Sequence, residues 1–148
     1  MQGSNRRKLR LGPLTEYVGY ALRRAQLSTV AKFVAALREV DLRPTQFAVL
    51  TMIKENPGVR QSEVCAALGI KKANFVPLLN ELQRRGYAVR RAGVADRRSS
   101  ALHLTPAGES VLARARQLHD LYEAGLAARL GPRGRTQLLS LLNRLLEP

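Results

Sequence analysis

Two small groups of side chains near the middle of this chain have the types and spacing to grip a polyanion. The first is Lys71, Lys72, Ala73, Asn74, Val76 and Pro77. A lysine ammonium donates to guanine acceptors, an asparagine amide pairs with adenine in two directions, and an apolar carbon can meet a thymine methyl. For Asn74 an N-cap or first-turn hydrogen bond within its own helix is an equal alternative. The second group is Asp96, Arg97 and Arg98. An arginine is drawn into a narrow minor groove by its negative potential. A neighbouring carboxylate can hold that guanidinium in place through a bidentate pair. The sequence thus assigns the groove to Arg98 and the orienting role to Asp96. A mobile loop touching phosphates only is the plainer alternative. Both groups lie in a basic stretch: Arg60, Lys71, Lys72, Arg84, Arg85, Arg90, Arg91, Arg97 and Arg98 outweigh Glu63, Glu81 and Asp96 by six charges.

Catalytic chemistry finds no comparable set. One Cys and two His, at positions 65, 103 and 119, do not supply the spacing of a structural metal site. No nucleophile with a base and its orienter stands out, and no phosphate loop does. The expectation is therefore a binding protein without a metal or a resident cofactor. Cys65 is expected to pack as a small apolar residue rather than to act as a redox sensor. His103 is expected to point outward from a strand, and His119 to pack among helices.

The whole chain supports a nucleic-acid partner. Its 148 residues are 45% hydrophobic, enough for one folded domain with a core. The formal net charge is +14, which favours a polyanion. Double-stranded DNA is favoured over a membrane surface, because no apolar run approaches the ~20 residues a span requires. Aromatic residues are only 5%, which argues against a stacking platform for RNA. Residues 1–13 read as a basic arm without a secretory signal, and the single Cys agrees with a cytoplasmic protein.

The elements that position these groups follow from periodicity. Residues 14–40 read as one long helix. Val18, Leu22, Ala25, Thr29, Phe33, Leu37 and Val40 form one face, and Tyr17, Ala21, Leu27, Val30 and Val34 form another. Two apolar faces suggest two packing bodies, the chain's own core and a second subunit; one wide core face is the alternative. Pro44 suits the first position of a new helix. Gln61 to Leu68 is a short helix, Leu68-Gly69-Ile70 a turn, and Lys71 to Arg85 a second helix with Phe75, Leu78, Leu79 and Leu82 on one face. A helix interior would reject Pro77, so that helix should start near Lys72 or Ala73 and keep Pro77 close to its first turn. Two strands, residues 87–90 and 101–104, flank the Arg-rich loop. Thr105 and Pro106 then read as the N-cap and first position of a helix reaching about Leu130. Residues 138–146 form a last, Leu-rich helix. The fold class is mainly α with a small β-hairpin wing: a winged helix-turn-helix plus a helical dimerisation region. Residues 41–105 form the former, and residues 14–40 and 106–148 the latter. Such a module places one helix in the major groove and a basic loop beside it.

Several of these residues resemble the MarR (multiple antibiotic resistance regulator) family of transcription regulators. The resemblance rests on Gln61-Ser62-Glu63 with Leu68-Gly69-Ile70, on Leu79, Leu82 and Gly86 at their spacing, and on Asp96-Arg97-Arg98 leading into Leu104-Thr105-Pro106-Ala107-Gly108. Leu42, Pro44-Thr45-Gln46-Phe47, Val49 and Leu50 look like the family's second helix. The resemblance implies a homodimer, a palindromic operator and, in most members, repression relieved by a small ligand or by thiol oxidation. It also puts the minor-groove role on Arg98 and its support on Asp96. Pro77 departs from the family pattern, which commonly has a polar or basic side chain there. The expected effector is a small anionic aromatic compound or an acyl-CoA thioester. Tyr17, Tyr20, Arg23, Arg24, Phe33 and Phe47 are its candidate contacts. The alternative function is an architectural DNA-binding protein with little sequence preference.

Overall fold

The computed structural model describes residues 9–92 and 100–147. In chain order the elements are α1 (Val18–Leu37), α2 (Pro44–Glu55), β1 (Val59–Arg60), α3 (Gln61–Leu68), α4 (Lys72–Arg84), β2 (Ala88–Ala92), β3 (Ser100–Leu104), α5 (Pro106–Leu130) and α6 (Gly134–Leu146). This is the helix-rich winged helix-turn-helix that the periodicity suggests.

The long first helix is shorter than its apolar pattern. A 3₁₀ turn at Gly12–Glu16 precedes α1, and another at Arg38–Val40 follows it. Asp41 then takes a left-handed conformation, with φ of 50°, and turns the chain into α2. The two apolar faces of α1 have different fates. Phe33 and Leu37, from the first set, pack on the core, whereas Leu27, Val30 and Val34, from the second, are exposed. The first set also leaves Val18 and Leu22 exposed at the start of the helix.

Helices α2 and α3 start without the serine or threonine that usually caps a helix. Pro44 occupies the opening turn of α2, and the Arg43 N–H donates to the Gln46 side chain at 2.9 Å. At α3 the Arg60 N–H donates to Glu63 at 2.8 Å. In each case the third residue of the helix reaches back to the cap, the reciprocal half of a capping box. The cap of α3 is therefore Arg60, and Ser62 plays no part in it.

Helix α4 buries Phe75, Leu79 and Leu82 completely. It begins at Lys72, as the proline argument requires. Pro77 is nevertheless its sixth residue, one turn deeper than that argument places it. The first turn closes normally, with the Asn74 and Phe75 N–H groups both donating to the Lys71 carbonyl. Only the bond from position 77 is given up, because proline has no N–H. Gly86, with φ of 72°, ends the helix in the left-handed conformation that glycine adopts without steric cost.

The sheet is antiparallel with order β1-β3-β2. Ala88 pairs with Leu104 and Arg90 with Leu102. The two-residue β1, absent from the periodicity, pairs Val59 with Leu102. Thr105 caps α5 as expected, its hydroxyl accepting from the Gly108 N–H at 3.0 Å. The same hydroxyl donates to the Gly86 carbonyl, so the end of α4 and the start of α5 share one side chain. Gly108 is buried against β2's approach: a Cβ there would lie 1.9 Å from the Tyr87 carbonyl oxygen.

The first half of α5 is tied to the preceding elements by charge. Lys54 meets Glu109 at 2.7 Å, and Arg116 pairs with Glu55, both partners lying at the end of α2. Arg114 pairs with Glu39 in the turn after α1. Farther along, Tyr122 donates to the Thr29 carbonyl of α1 at 3.2 Å. Helix α6 begins four residues before its leucine pattern and exposes Leu138, Leu141 and Leu145.

Candidate nucleic-acid interface

The helix-turn-helix presents α4 with its apolar side inward and a polar, basic side outward. Lys71 is the N-cap residue, and Lys71, Lys72, Ala73, Asn74 and Pro77 are exposed while Val76 is half-buried. The structure thus brings together the six residues of the first sequence group. Asn74 lies in the first turn and is not the cap, so only the N-cap part of its alternative is removed. Its side chain borders a shallow recess with Arg43, Thr45 and Glu81. Asp96, Arg97 and Arg98 lie outside the described residues.

Not every basic residue of the stretch is available to a ligand. Arg85 donates to the Asp41 carbonyl at 2.7 Å, and its guanidinium sits 4.8 Å from the centre of the Tyr87 ring. It fastens the end of α4 to the corner between α1 and α2. Arg60 is paired with Glu63 at 3.0 Å. A hydrogen bond from the Arg60 side chain, joined by one from its backbone N–H, holds the Glu63 carboxyl below its ordinary range. Outside the stretch, Arg43 is paired with Glu81. Among the described residues, Lys71, Lys72, Arg84 and Arg91 form no ion pair, and all four are exposed. Arg90 reaches Gln61 at 3.5 Å, linking the wing strand to the start of α3. Positive charge is therefore left on the outer side of α4 and on the edge strand β2. The N-terminal end of a helix adds to it with unpaired N–H groups.

The candidate effector contacts divide into two sets. Phe33 and Phe47 meet edge to face, with centroids 5.6 Å apart. Tyr20 and Arg24 lie about 20 and 14 Å before Phe33 along α1, at 1.5 Å per residue, and roughly on the opposite side of the helix. Tyr17 precedes α1 and is exposed, as is Arg23. Within one chain the six side chains do not wall a single pocket. The companions of Phe33 and Phe47 are instead His119 and Tyr122 of α5. His119 stacks on Phe47 at 5.2 Å, and Tyr122 stacks on Phe33 at the same separation. His119 also lies 4.0 Å from Glu123, which is paired with Arg135 of α6. Sequence reasoning left these two residues out. Their spacing of three on α5 was the available signal, because it puts both rings on one face.

Cys65 and His103 are both partly packed. Cys65 is half-buried against the core. His103 alternates away from buried Leu102 but is itself half-covered, with its ring near Gly58. Among the described residues no group of His, Cys, Asp and Glu could hold a metal ion. Among them, too, no helix is long and apolar enough to cross a membrane.

Residues 40–99, from the end of the first helical region through the wing, match the model of the MarR family. A putative transcriptional regulatory protein for the hcr operon of Thauera aromatica is 32% identical over 135 residues, covering 90% of this chain and 81% of that protein. The chain belongs to the MarR family. Membership places it among transcription regulators rather than enzymes. Solved MarR-type structures follow the same path through nearly every element. The transcriptional repressor CouR bound to a 23-mer DNA duplex is 42% identical, with a TM-score of 0.91 over 95% of this chain and 100% of that one. CouR bound to p-coumaroyl-CoA is 39% identical, with a TM-score of 0.87 over 95% and 99%.

Proposed function

We propose that this MarR-family protein is a homodimeric repressor that binds a palindromic operator and releases it when a small anionic aromatic effector binds, free or as a CoA thioester. The observation that carries this reading is the exposed polar side of α4, in a chain that follows DNA-bound CouR over 95% of its length. Lys71, Lys72, Asn74, Val76 and Pro77 face the major groove in this reading, and Asp96, Arg97 and Arg98 serve the minor groove.

Dimerisation is supported by surfaces that one chain leaves bare. Leu27, Val30 and Val34 on α1 and Leu138, Leu141 and Leu145 on α6 are exposed, and apolar patches of this kind mark association sites. Residues 14–40 and 106–148 form the dimerisation region in this reading, residues 41–105 the reading module and residues 1–13 a basic arm. The protein acts in the cytoplasm.

The effector site is the aromatic cluster of Phe33, Phe47, His119 and Tyr122. Its rings come from α1, α2 and α5, so a planar group wedged among them moves the reading module against the long helices. Arg23 is about 15 Å from Phe33 along α1, farther than a free aromatic acid extends but within reach of a CoA thioester. The likeness to CouR bound to p-coumaroyl-CoA supports the thioester.

The test begins with selection of genomic fragments by purified protein at physiological salt. A palindrome recovered beside one or a few operons supports the reading, and a specificity ratio of roughly a thousand or more separates a regulator from a coating protein. Motif-free recovery would favour an architectural role. Titration of the recovered complex with p-coumaroyl-CoA and with p-coumarate then tests the effector. Release by neither compound sinks that part of the proposal.

A further inference from the structure

The outward side of α4 is narrower and less polar than its composition suggests. Ala73, Pro77, Asn80 and Arg84 are all exposed, and their steps of four, three and four residues place them on one ridge opposite buried Phe75, Leu79 and Leu82. Asn74 is not on this ridge. It is seven residues from Glu81, two turns along the same side of the helix; both border a recess that Arg43 and Thr45 line on α2 and that also reaches Pro77 on the ridge. Glu81 is paired with Arg43. Asn74 therefore lies at the flank of the exposed face, about a quarter-turn from the ridge.

We propose that Asn80 is the base-reading amide of this protein, and that Ala73 and Pro77 read the C5 methyl groups of pyrimidines on the same ridge. The inference rests on the operator-binding reading above. Neither Ala73 nor Pro77 can donate a side-chain hydrogen bond, and proline also withholds its N–H. An apolar pair on the groove-facing ridge is complementary to thymine methyls and to little else in the major groove. Asn80 is the one carboxamide on the ridge, with a donor and an acceptor that match the adenine edge. Along the axis Pro77 is about 6 Å from Ala73 and Asn80 about 4.5 Å from Pro77. With base steps of about 3.4 Å, the ridge spans a short run of consecutive pairs. Helix α4 then lies lengthwise in the groove instead of entering by its tip.

Three measurements on the selected operator test this. Duplexes in which single thymines are replaced by uracil lose one methyl each and leave the protein unaltered. Binding should weaken roughly fourfold at one or two positions per half-site. Asn80→Ala should erase the preference at one base pair of each half-site, a loss of roughly 5- to 150-fold against the wild-type base. Asn74→Ala, at the flank of the same face, should weaken operator and random DNA alike without erasing the preference at any position. The proposal is overturned if Asn80→Ala weakens all sequences equally, if Asn74→Ala erases a position, or if no uracil substitution matters. Failure of wild-type protein to select any motif would sink the operator reading instead, so the two failures are distinct.

Discussion

The imidazole of His119 lies stacked on the ring of Phe47, with centroids 5.2 Å apart and planes 21° from parallel. Phe47 belongs to α2, within the reading module, and His119 to α5, which continues toward the exposed leucines of α6. The stack is thus a direct contact between the part proposed to touch DNA and the part proposed to dimerise. His119→Leu keeps bulk at the site but removes the stacking ring. It is expected to leave effector-free operator affinity within a few-fold of wild type. The weakening caused by saturating effector should shrink by about 5- to 150-fold, the span of a coupling energy between sites. Operator binding measured with and without p-coumaroyl-CoA checks this, and an unchanged response in the variant would remove His119 from the coupling.

Gly108 is expected to be intolerant for a purely geometric reason. Its missing Cβ would overlap the Tyr87 carbonyl oxygen, and that oxygen also accepts from the Thr105 N–H at 3.1 Å. Backbone cannot rotate away as a side chain can. Gly108→Ala should destabilise the fold by about 1–3 kcal/mol, as overpacking does. Urea unfolding with an unchanged slope and a lower midpoint would show it. Gly125→Ala is the control, because a Cβ there meets nothing within 4 Å.

Much of this junction was legible from local chemistry. Thr105 followed by Pro106 encodes a helix start in the side chains themselves, and α5 begins where they say. The Gln61–Leu68 helix was equally plain. Helix α6 was read four residues short, because Gly134 and Arg135 carry no apolar signal. The two-residue β1 could not be read, since Val59 and Arg60 become a strand only by pairing with β3. The aromatic cluster was hidden for the same reason. Phe33, Phe47, His119 and Tyr122 come from three helices far apart in the chain, and periodicity within one helix does not report its neighbours. Tyr20, Arg23 and Arg24 share α1 with Phe33, and Tyr17 precedes that helix, but within one chain all four are turned away from Phe33 or distant along the axis.

Arg98 lies outside the described residues, yet the family resemblance gives it a testable role. Arg98→Ala should weaken operator binding and leave the oligomeric state intact. If the residue contacts a phosphate, the slope of log affinity against log salt should fall by about 0.9. If it enters the minor groove, sequence preference at the flank of each half-site should relax as well. Unchanged affinity at every salt concentration would remove the wing residue from the interface.

The pair at the start of α3 makes a pH prediction. Glu63 has a carboxyl pKa lowered by the Arg60 contacts relative to its ordinary value of 4.5. A lowered folded-state pKa contributes stability that is present above the unfolded value and lost as pH falls through the folded one. Glu63→Gln retains an acceptor for the Arg60 N–H but does not titrate. The stability gap between wild type and variant should be constant near neutrality and close on acidification below about 4.5. Both side chains are exposed, so the gap should be small and salt-sensitive. A gap that widens in acid would contradict the assignment.

The three charged clasps on the first half of α5 have a geometric consequence for the proposed dimer. Glu109, Arg114 and Arg116 fix that half to α2 and to the turn after α1, while Tyr122 beyond them leans on α1. In the proposed dimer the helix is an arm set in a socket at one end and joined to its twin at the other. Recognition helices that serve one palindrome need to be spaced by about 34–36 Å, one turn of DNA, or a multiple of it. Small angular changes at the far end of such an arm are magnified at the groove, so α5 would gauge the distance between half-sites without touching a base.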